Sequence, residues 1–313
     1  MNNKIYFVVP CYNEEDVLHE TASRLGKKLT SLIESEAVAP NSRIFFVDDG
    51  SKDNTWELIR KLGSENKKFG GIRLSRNRGH QNALLAGLMA VKDDCDACIT
   101  MDADLQDDIN VLDEFISQYK DGCDVVYGVR KNRRSDTAFK RGTAVMFYKI
   151  MRGLGVDIVQ NHAEYRLMSK RVLDSLAEFS EVNLFLRGMI PLIGFKSGTV
   201  EYDRHQRFAG KTKYPLKKMI TFAFDGITSF SARPIRMIFW LGVIVFLVSI
   251  AIIIRTLAVW ALGYTVAGWT TILASIWALG GIQLLSLGIV GEYIGKIYRE
   301  VKRRPPYIIQ EII

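Results

Sequence analysis

The sequence predicts an α/β fold: a mostly parallel sheet covered by helices on both faces, followed by an apolar C-terminal hairpin. Three observations predict it. Short β-rich runs alternate with longer segments of helical spacing. Each early β-run ends in a polar cluster. Two stretches without a single charged residue, 237–254 and 256–291, follow a chain that carries charges throughout.

The β-rich runs are 4–9 (KIYFVV), 43–47 (RIFFV), 71–74 (GIRL), 97–101 (ACITM) and 123–129 (CDVVYGV). Between them, Val17, Leu18, Ala22, Leu25, Leu29 and Leu32 recur with helical spacing, as do Leu112, Phe115, Ile116 and Tyr119. Strand–helix alternation favours parallel pairing, with both sheet faces covered. Ligands of such sheets bind beyond the carboxyl ends of the strands. The clusters PCYNEE, DDGSKDNT, SRNRGH and DADLQ would therefore converge on one sheet edge. Further on, the pattern predicts a helix over 138–154, a loop over 155–163 and a strand over 164–168. A helix over 169–178 and a strand over 196–203 follow. The basic stretch 204–214 then reads as a flexible loop, and 215–231 as an amphipathic segment in a membrane interface.

Two spans are predicted, over 235–262 and 269–294, each covering the ~20 residues a bilayer core requires. Arg255 interrupts the first; it is expected to snorkel toward the far interface, or else the span is shorter than 235–262. Arg233 and Arg236 precede the first span; Lys296, Arg299, Lys302, Arg303 and Arg304 follow the second. Positive flanks stay inside, so both termini and the polar domain are expected on the cytoplasmic side of the plasma (inner) membrane. The opening MNNKIYFVVP has no long apolar core and does not read as a signal peptide. The expected organisation is a catalytic domain over 1–214, a juxtamembrane region over 215–233, a transmembrane hairpin over 234–298 and a basic cytoplasmic tail over 299–313.

The 313 residues give room for one large or two modest domains, and the net charge of +8 suits phosphate-bearing partners or an anionic membrane. Nucleic acid is not expected as a partner, because the basic residues gather beside the apolar segments and in one loop. Cys11, Cys95, Cys98 and Cys123 are too few for a disulfide framework, and a lone CxxC without a second pair does not read as a zinc site.

The chemistry begins with VDDGSKDNT (47–55). Asp48 and Asp49 can accept hydrogen bonds from a nucleobase and a ribose; they can equally build a tight turn, with Asp53 capping the next helix. In DADLQ (102–106), Asp102, Asp104 and Gln106 fall at period two, so an extended segment puts all three on one side. Hard oxygen donors so placed suit Mg²⁺ or Mn²⁺; the other reading is a solvated acidic turn continued by Asp107 and Asp108.

VVPCYNEE, VDDGSKDNT and DADLQ in this order, with SRNRGHQNALLAGL, EYRLMS and the paired apolar segments, resemble the family 2 glycosyltransferases. The polyprenyl-phosphate branch is the more similar one; bactoprenol-phosphate glucosyltransferases and dolichol-phosphate mannose synthase belong to it. The resemblance covers the whole chain and implies a nucleotide-diphospho-sugar transferase (GT-A) fold. It implies that Pro10, Tyr12 and Glu14, with Asp48 and Asp49, line a nucleotide pocket. Asp102, Asp104 and Gln106 would hold the divalent metal, and Arg130 would stand near the acceptor path. Arg204, His205, Arg207 and Lys213 would meet the lipid phosphate, or else bind anionic lipid nonspecifically. The family usually has Asp where this chain has Glu164, the position treated as the base; Glu164 is expected here to orient the site. Asp104, Glu164 and Arg130 form the expected catalytic set.

The implied reaction is inverting transfer of a hexose, glucose from UDP-glucose in first place, to undecaprenyl or another polyisoprenyl phosphate. A homo-oligomer is expected from the packing of hairpins. Three other classes remain at this point; one, a lipid flippase, would need more than two spans unless copies of the chain assemble. A processive polysaccharide synthase typically has Gln-x-x-Arg-Trp, whereas Gln206 here precedes Arg207-Phe208. A non-catalytic membrane scaffold would have no need of the acidic triplet.

Overall fold

The computed structural model describes residues 2–131, 162–181, 184–203, 233–262 and 268–313. It divides into two compact units. The first comprises Met1–Lys149, Asp157–Pro215 and Arg303–Ile313; the second comprises Ile150–Val156 and Leu216–Lys302.

In the first unit the chain runs β1 (Ile5–Cys11), α1 (Glu15–Glu34), β2 (Arg43–Asp48), α2 (Thr55–Glu65), β3 (Phe69–Leu74), α3 (His80–Val91) and β4 (Ala97–Thr100). It continues with α4 (Leu112–Lys120), β5 (Val125–Arg130), β6 (His162–Ser169), α5 (Lys170–Ala177), α6 (Leu186–Ile193), β7 (Ser197–Tyr202) and β8 (Ile309–Ile312). One eight-stranded sheet results, in the order β7-β5-β6-β4-β1-β2-β3-β8. β1 pairs in parallel with both β2 and β4, β2 with β3, and β5 with β7. Only β6 and β8 run against their neighbours.

Period-two alternation explains why β1 and β2 read as unbroken apolar runs. Ile5, Phe7, Val9 and Cys11, with Ile44 and Phe46, face a core shared with Leu18, Leu25 and Leu29 of α1 and Phe115 of α4. On the opposite face, α3 crosses so closely that a Cβ on Gly87 would stand 2.5 Å from Val47 and 2.6 Å from Val8. Each fully buried Leu or Phe contributes about 1.5–3 kcal/mol, so burial on both faces makes this sheet a rigid platform for the loops at its edge.

β1 is followed by β2 on one side and has β4 on the other, a topological switch point where a crevice opens beyond the strand ends. Because β6 is reversed, its first residues share that edge with the last residues of β4, β5 and β7.

The tail expected over 299–313 departs from its reading. Residues 303–313 belong to the first unit, where β8 pairs antiparallel with β3. The β-branched run Ile308-Ile309 and Ile312-Ile313 carries a strand signal that the adjacent basic residues mask. The chain thus leaves the sheet after one edge strand, β7, and returns as the other, β8.

The second unit contains α7 (Arg233–Ala261) and α8 (Trp269–Lys302), matching the two apolar segments. Among the described residues, one stretch, Ala278–Lys302, is long and apolar enough to cross a membrane; the apolar stretch Met237–Ile252 of α7 is shorter. Large apolar side chains along both helices are exposed, among them Phe239, Trp240, Leu284 and Leu287. The helix expected over 138–154, residues 155–161 of the loop after it and the amphipathic segment over 215–231 lie outside the described residues; His162 and Ala163, expected in that loop, already belong to β6.

Candidate active site

The loops after β1, β2 and β3 are laced together. Asn13 takes a left-handed turn (φ 51°) that swings the chain from β1 into α1. Its backbone N–H donates to Ser51 Oγ at 2.9 Å, and its Oδ1 accepts from Lys52 N–H at 2.9 Å. The Glu14 N–H donates to Thr55 Oγ1 at 2.9 Å. Tyr12 and Glu14 are half-buried, whereas Pro10 lies buried within β1 opposite Val47.

Asp48 and Asp49 do structural work in this arrangement. Asp48 is fully buried; its Oδ1 accepts from Ser51 N–H at 3.1 Å and its Oδ2 lies 3.4 Å from Arg73 Nε. Asp49 accepts from the backbone N–H groups of Arg78 (2.7 Å) and Gly79 (2.9 Å), fixing the entry to α3. Burial pushes both carboxyls up from the ordinary range, against the pull of these donors. Gly50 has φ 64°, and a Cβ there would meet the Arg76 carbonyl carbon at 2.5 Å. Glycine is what lets the loop after β3 lie directly on the Asp-Asp-Gly turn.

Past β4, Met101, Ala103 and Leu105 are buried while Asp102 and Asp104 are half-exposed on the other side. The alternation expected of the triplet holds for these two and stops there. Leu105 is left-handed (φ 56°), which turns Gln106 inward, and the Gln106 N–H donates to Asp104 Oδ1 at 3.2 Å.

His80, the first residue of α3, places Nε2 3.0 Å from Asp102 Oδ1. Burial works against the Asp102 carboxylate, but the His80 hydrogen bond and the charges of Arg187 and Arg130 outweigh it and hold the carboxyl at about 2. Asp107 is buried instead of solvated. Burial and the nearby Asp102 charge raise its carboxyl to about 6, and it accepts a 2.5 Å hydrogen bond from Tyr202 OH. Arg130, ending β5, lies 4.0 Å from Asp107 and 3.4 Å from Tyr202 OH.

Among the described residues no three His, Cys, Asp or Glu side chains converge as a closed metal cage. Two adjacent half-exposed carboxylates, one firmly ionised, are the donor set of an Mg²⁺ or Mn²⁺ that completes its shell with water and substrate phosphates. The residues present fit such an ion.

Glu164, the third residue of β6, is almost enclosed, with 5% of its side chain exposed. Its Oε1 accepts from Arg187 Nε at 2.7 Å and from Gln81 Nε2 at 2.9 Å; its Oε2 pairs with Arg166. The Gln81 Oε1 accepts the Leu186 N–H at 3.0 Å, so one amide joins α3, β6 and the start of α6. Every side of the carboxylate that the site presents is met by a donor.

Asp102, Asp104, Glu164 and Arg130 thus share the sheet edge that also carries the Asp48–Asp49 turn. Arg204, His205, Arg207 and Lys213 lie outside the described residues. Sequence reasoning gave no role to His80, Gln81, Arg166, Arg187 or Tyr202. His80 and Gln81 stand inside the quoted stretch SRNRGHQNALLAGL, and that was their signal; Arg187 follows a short apolar run and carried none.

Residues 6–177 match the family described as Glycosyl transferase family 2, and residues 233–297 match the GtrB C-terminal hairpin. Uncharacterized glycosyltransferase YkoT of Bacillus subtilis (strain 168) is 55% identical over 302 residues, 96% of this chain and 90% of that one. Bactoprenol glucosyl transferase of Shigella phage SfV is 38% identical over 315 residues, 98% of each chain. A solved structure of mannosyltransferase PcManGT from Pyrobaculum calidifontis, with GDP-Man and Mn²⁺, aligns with a TM-score of 0.48 and 15% identity, covering 97% of this chain and 86% of that one. Built on a mostly parallel sheet of the nucleotide-sugar transferase (GT-A) type, matched across more than half its length by the family description and along nearly all of it by these relatives, the chain belongs to glycosyltransferase family 2.

Proposed function

We propose that this chain transfers glucose, with inversion, from UDP-glucose to a polyisoprenyl phosphate at the cytoplasmic face of a membrane. The observation that carries the reading is the pair of half-exposed carboxylates, Asp102 and Asp104, of which Asp102 lies beside His80 and within the fields of Arg187 and Arg130. The name of the phage SfV relative, bactoprenol glucosyl transferase, suggests the sugar and the lipid class.

Pro10, Tyr12 and Glu14, on loops stiffened by the Asp48–Asp49 turn, would take the nucleoside. Asp102 and Asp104 would hold Mg²⁺ or Mn²⁺, with Gln106 supporting the turn from inside. When bound, that ion neutralises charge on the leaving diphosphate. The lipid phosphate oxygen attacks the anomeric carbon as the bond from that carbon to the diphosphate oxygen breaks. A phosphate monoester has its second pKa near 6 and is largely ionised at neutral pH, so the attack needs little help from a base. This agrees with a Glu164 already engaged by two arginines and a glutamine. Arg130, and the basic residues 204–213, would hold the acceptor phosphate.

α7 and α8 would cross the membrane as a hairpin with both termini cytoplasmic. Their exposed apolar side chains and the basic residues 299–304 support that topology. Such an anchor keeps the site at the headgroups, raises the effective concentration of the lipid acceptor and limits its approach. Copies of the hairpin would pack as a homo-oligomer.

The test is incubation of purified full-length protein with undecaprenyl phosphate and a panel of radiolabelled nucleotide sugars, with and without EDTA. Lipid-linked glucose, abolished by EDTA, is expected. Failure of every donor to label the lipid would end the proposal.

A further inference from the structure

Arg187 is the second residue of α6, and among the described residues its guanidinium makes one hydrogen bond, from Nε to Glu164 Oε1 at 2.7 Å. Among the described residues its two terminal amines have no partner. The neighbouring Arg166 is wholly enclosed, while a third of the Arg187 side chain is open. One carboxylate, Glu164, therefore faces two guanidiniums. Terminal amines without acceptors on a side chain that is partly open are placed to donate to an arriving anion.

The charge of Arg187 also reaches Asp102, the carboxylate beside which the donor diphosphate would lie. Glu164 holds the Arg187 Nε, while Gln81 holds Glu164 and ties down the Leu186 N–H at the start of α6. A guanidinium gripped by Nε keeps both terminal amines parallel, the fork that matches two phosphate oxygens. Lysine can keep the ion pair to Glu164 but cannot form that fork.

We propose that Arg187 is a phosphate-contacting catalytic residue, offering its two terminal amines to an oxyanion of the reacting phosphates, with Glu164 as its positioning carboxylate. The inference rests on the transfer reaction proposed above. The shared chemistry is a phosphate oxyanion, whose source is the departing nucleoside diphosphate or the lipid phosphate.

The experiment compares wild type, Arg187→Lys and Arg187→Gln as purified full-length proteins. Each is titrated with UDP in the presence of Mn²⁺ and, separately, with undecaprenyl phosphate in detergent micelles. Unfolding temperature is recorded, and kcat and KM are measured where wild type transfers sugar. Arg187→Lys, which keeps the ion pair, should unfold within a few degrees of wild type. It should nonetheless lose at least tenfold in one affinity or in kcat, and Arg187→Gln about a hundredfold. A loss confined to UDP assigns the contact to the leaving diphosphate, and one confined to the lipid assigns it to the acceptor. If Arg187→Lys stays within threefold of wild type in both affinities and in any kcat, Arg187 is only a salt-bridge partner and the proposal falls. A wild type that binds neither UDP nor the lipid phosphate overturns it too. A wild type that binds them without transferring sugar counts against the proposed reaction alone, and the affinities still decide the role of Arg187.

Discussion

Trp56 and Glu311 stand 255 positions apart in the chain, yet the Trp56 indole N–H donates to Glu311 Oε2 at 3.0 Å. The contact fastens β8 to α2. Ladder bonds between Gly71 and Ile313, and from Ser75 N–H to the Ile308 carbonyl, continue the attachment. A segment beyond the apolar helices α7 and α8 thereby becomes an edge strand of the sheet that carries the candidate site. Trp56→Phe removes the donor together with one of the two fused, buried rings. It should lower stability by about 2–3 kcal/mol, about 1 of it from the hydrogen bond and the rest from the lost buried area. Deletion of residues 305–313 should cost more and leave the edge of β3 open to association. Thermal unfolding and light scattering on the purified proteins would check both; a deletion with unchanged unfolding temperature would contradict the assigned role of β8.

Gly50→Ala should be among the most damaging small substitutions in the domain. The new methyl group would need the space of the Arg76 backbone at 2.5 Å, in a residue whose φ of 64° already disfavours a side chain. The loop carrying Arg78 and Gly79 would have to lift, weakening their hydrogen bonds to Asp49. We expect a loss of about 2–3 kcal/mol in stability and at least tenfold weaker nucleotide binding, measured by thermal unfolding and UDP titration. Gly79→Ala provides the contrast: φ there is also positive, but a Cβ meets nothing within 4 Å. Its cost should be the conformational one alone.

Much of this fold is legible in local pattern because burial on both faces writes itself into β1 and β2 as continuous apolar runs. Asp102 and Asp104 were legible for a similar reason, since alternation across 101–105 requires no knowledge of distant residues. The alternation expected to reach Gln106 stops at the left-handed Leu105, and an ordinary leucine gives no warning of positive φ. The environment of Glu164 was hidden for a different reason. Its partners Gln81 and Arg187 come from two other helices and meet it only through the order β4-β6-β5, a tertiary fact without a local signature. The basic tail concealed β8 because charge adjacent to an apolar segment reads first as a membrane flank.

Removal of divalent cation should stop transfer, and Mn²⁺ or Mg²⁺ should restore it. Asp104→Asn should reduce kcat by a factor of about 10²–10³, the usual scale for losing a principal stabiliser of a leaving anion. Asp102→Asn carries a second effect, since His80 loses its charged partner at 3.0 Å. Calorimetric titration of Mn²⁺ in the presence of UDP gives a readout independent of turnover: both variants should bind at least tenfold more weakly. Wild-type titration heats in either variant would detach these carboxylates from the metal.

Glu164→Gln separates a base from a positioning residue. A base must be able to take a proton, but Glu164 already accepts from Arg187 and Gln81 on one oxygen and pairs with Arg166 on the other. Glutamine retains one acceptor oxygen and removes the charge. The first consequence is structural: Arg166, fully buried and opposed by both desolvation and Arg187, loses its compensating carboxylate. Breaking a buried pair from one side costs about 3–5 kcal/mol, so the unfolding temperature should fall by several degrees. The catalytic consequence should be smaller than that of Asp104→Asn, because the ionised lipid phosphate supplies its own attacking oxygen. The diagnostic is the pH profile of kcat at saturating substrates. If Glu164 only positions Arg187, the acid limb follows the acceptor phosphate and survives in the variant with its midpoint unmoved. If Glu164 were the base, the substitution would erase that limb and leave a residual rate below that of Asp104→Asn.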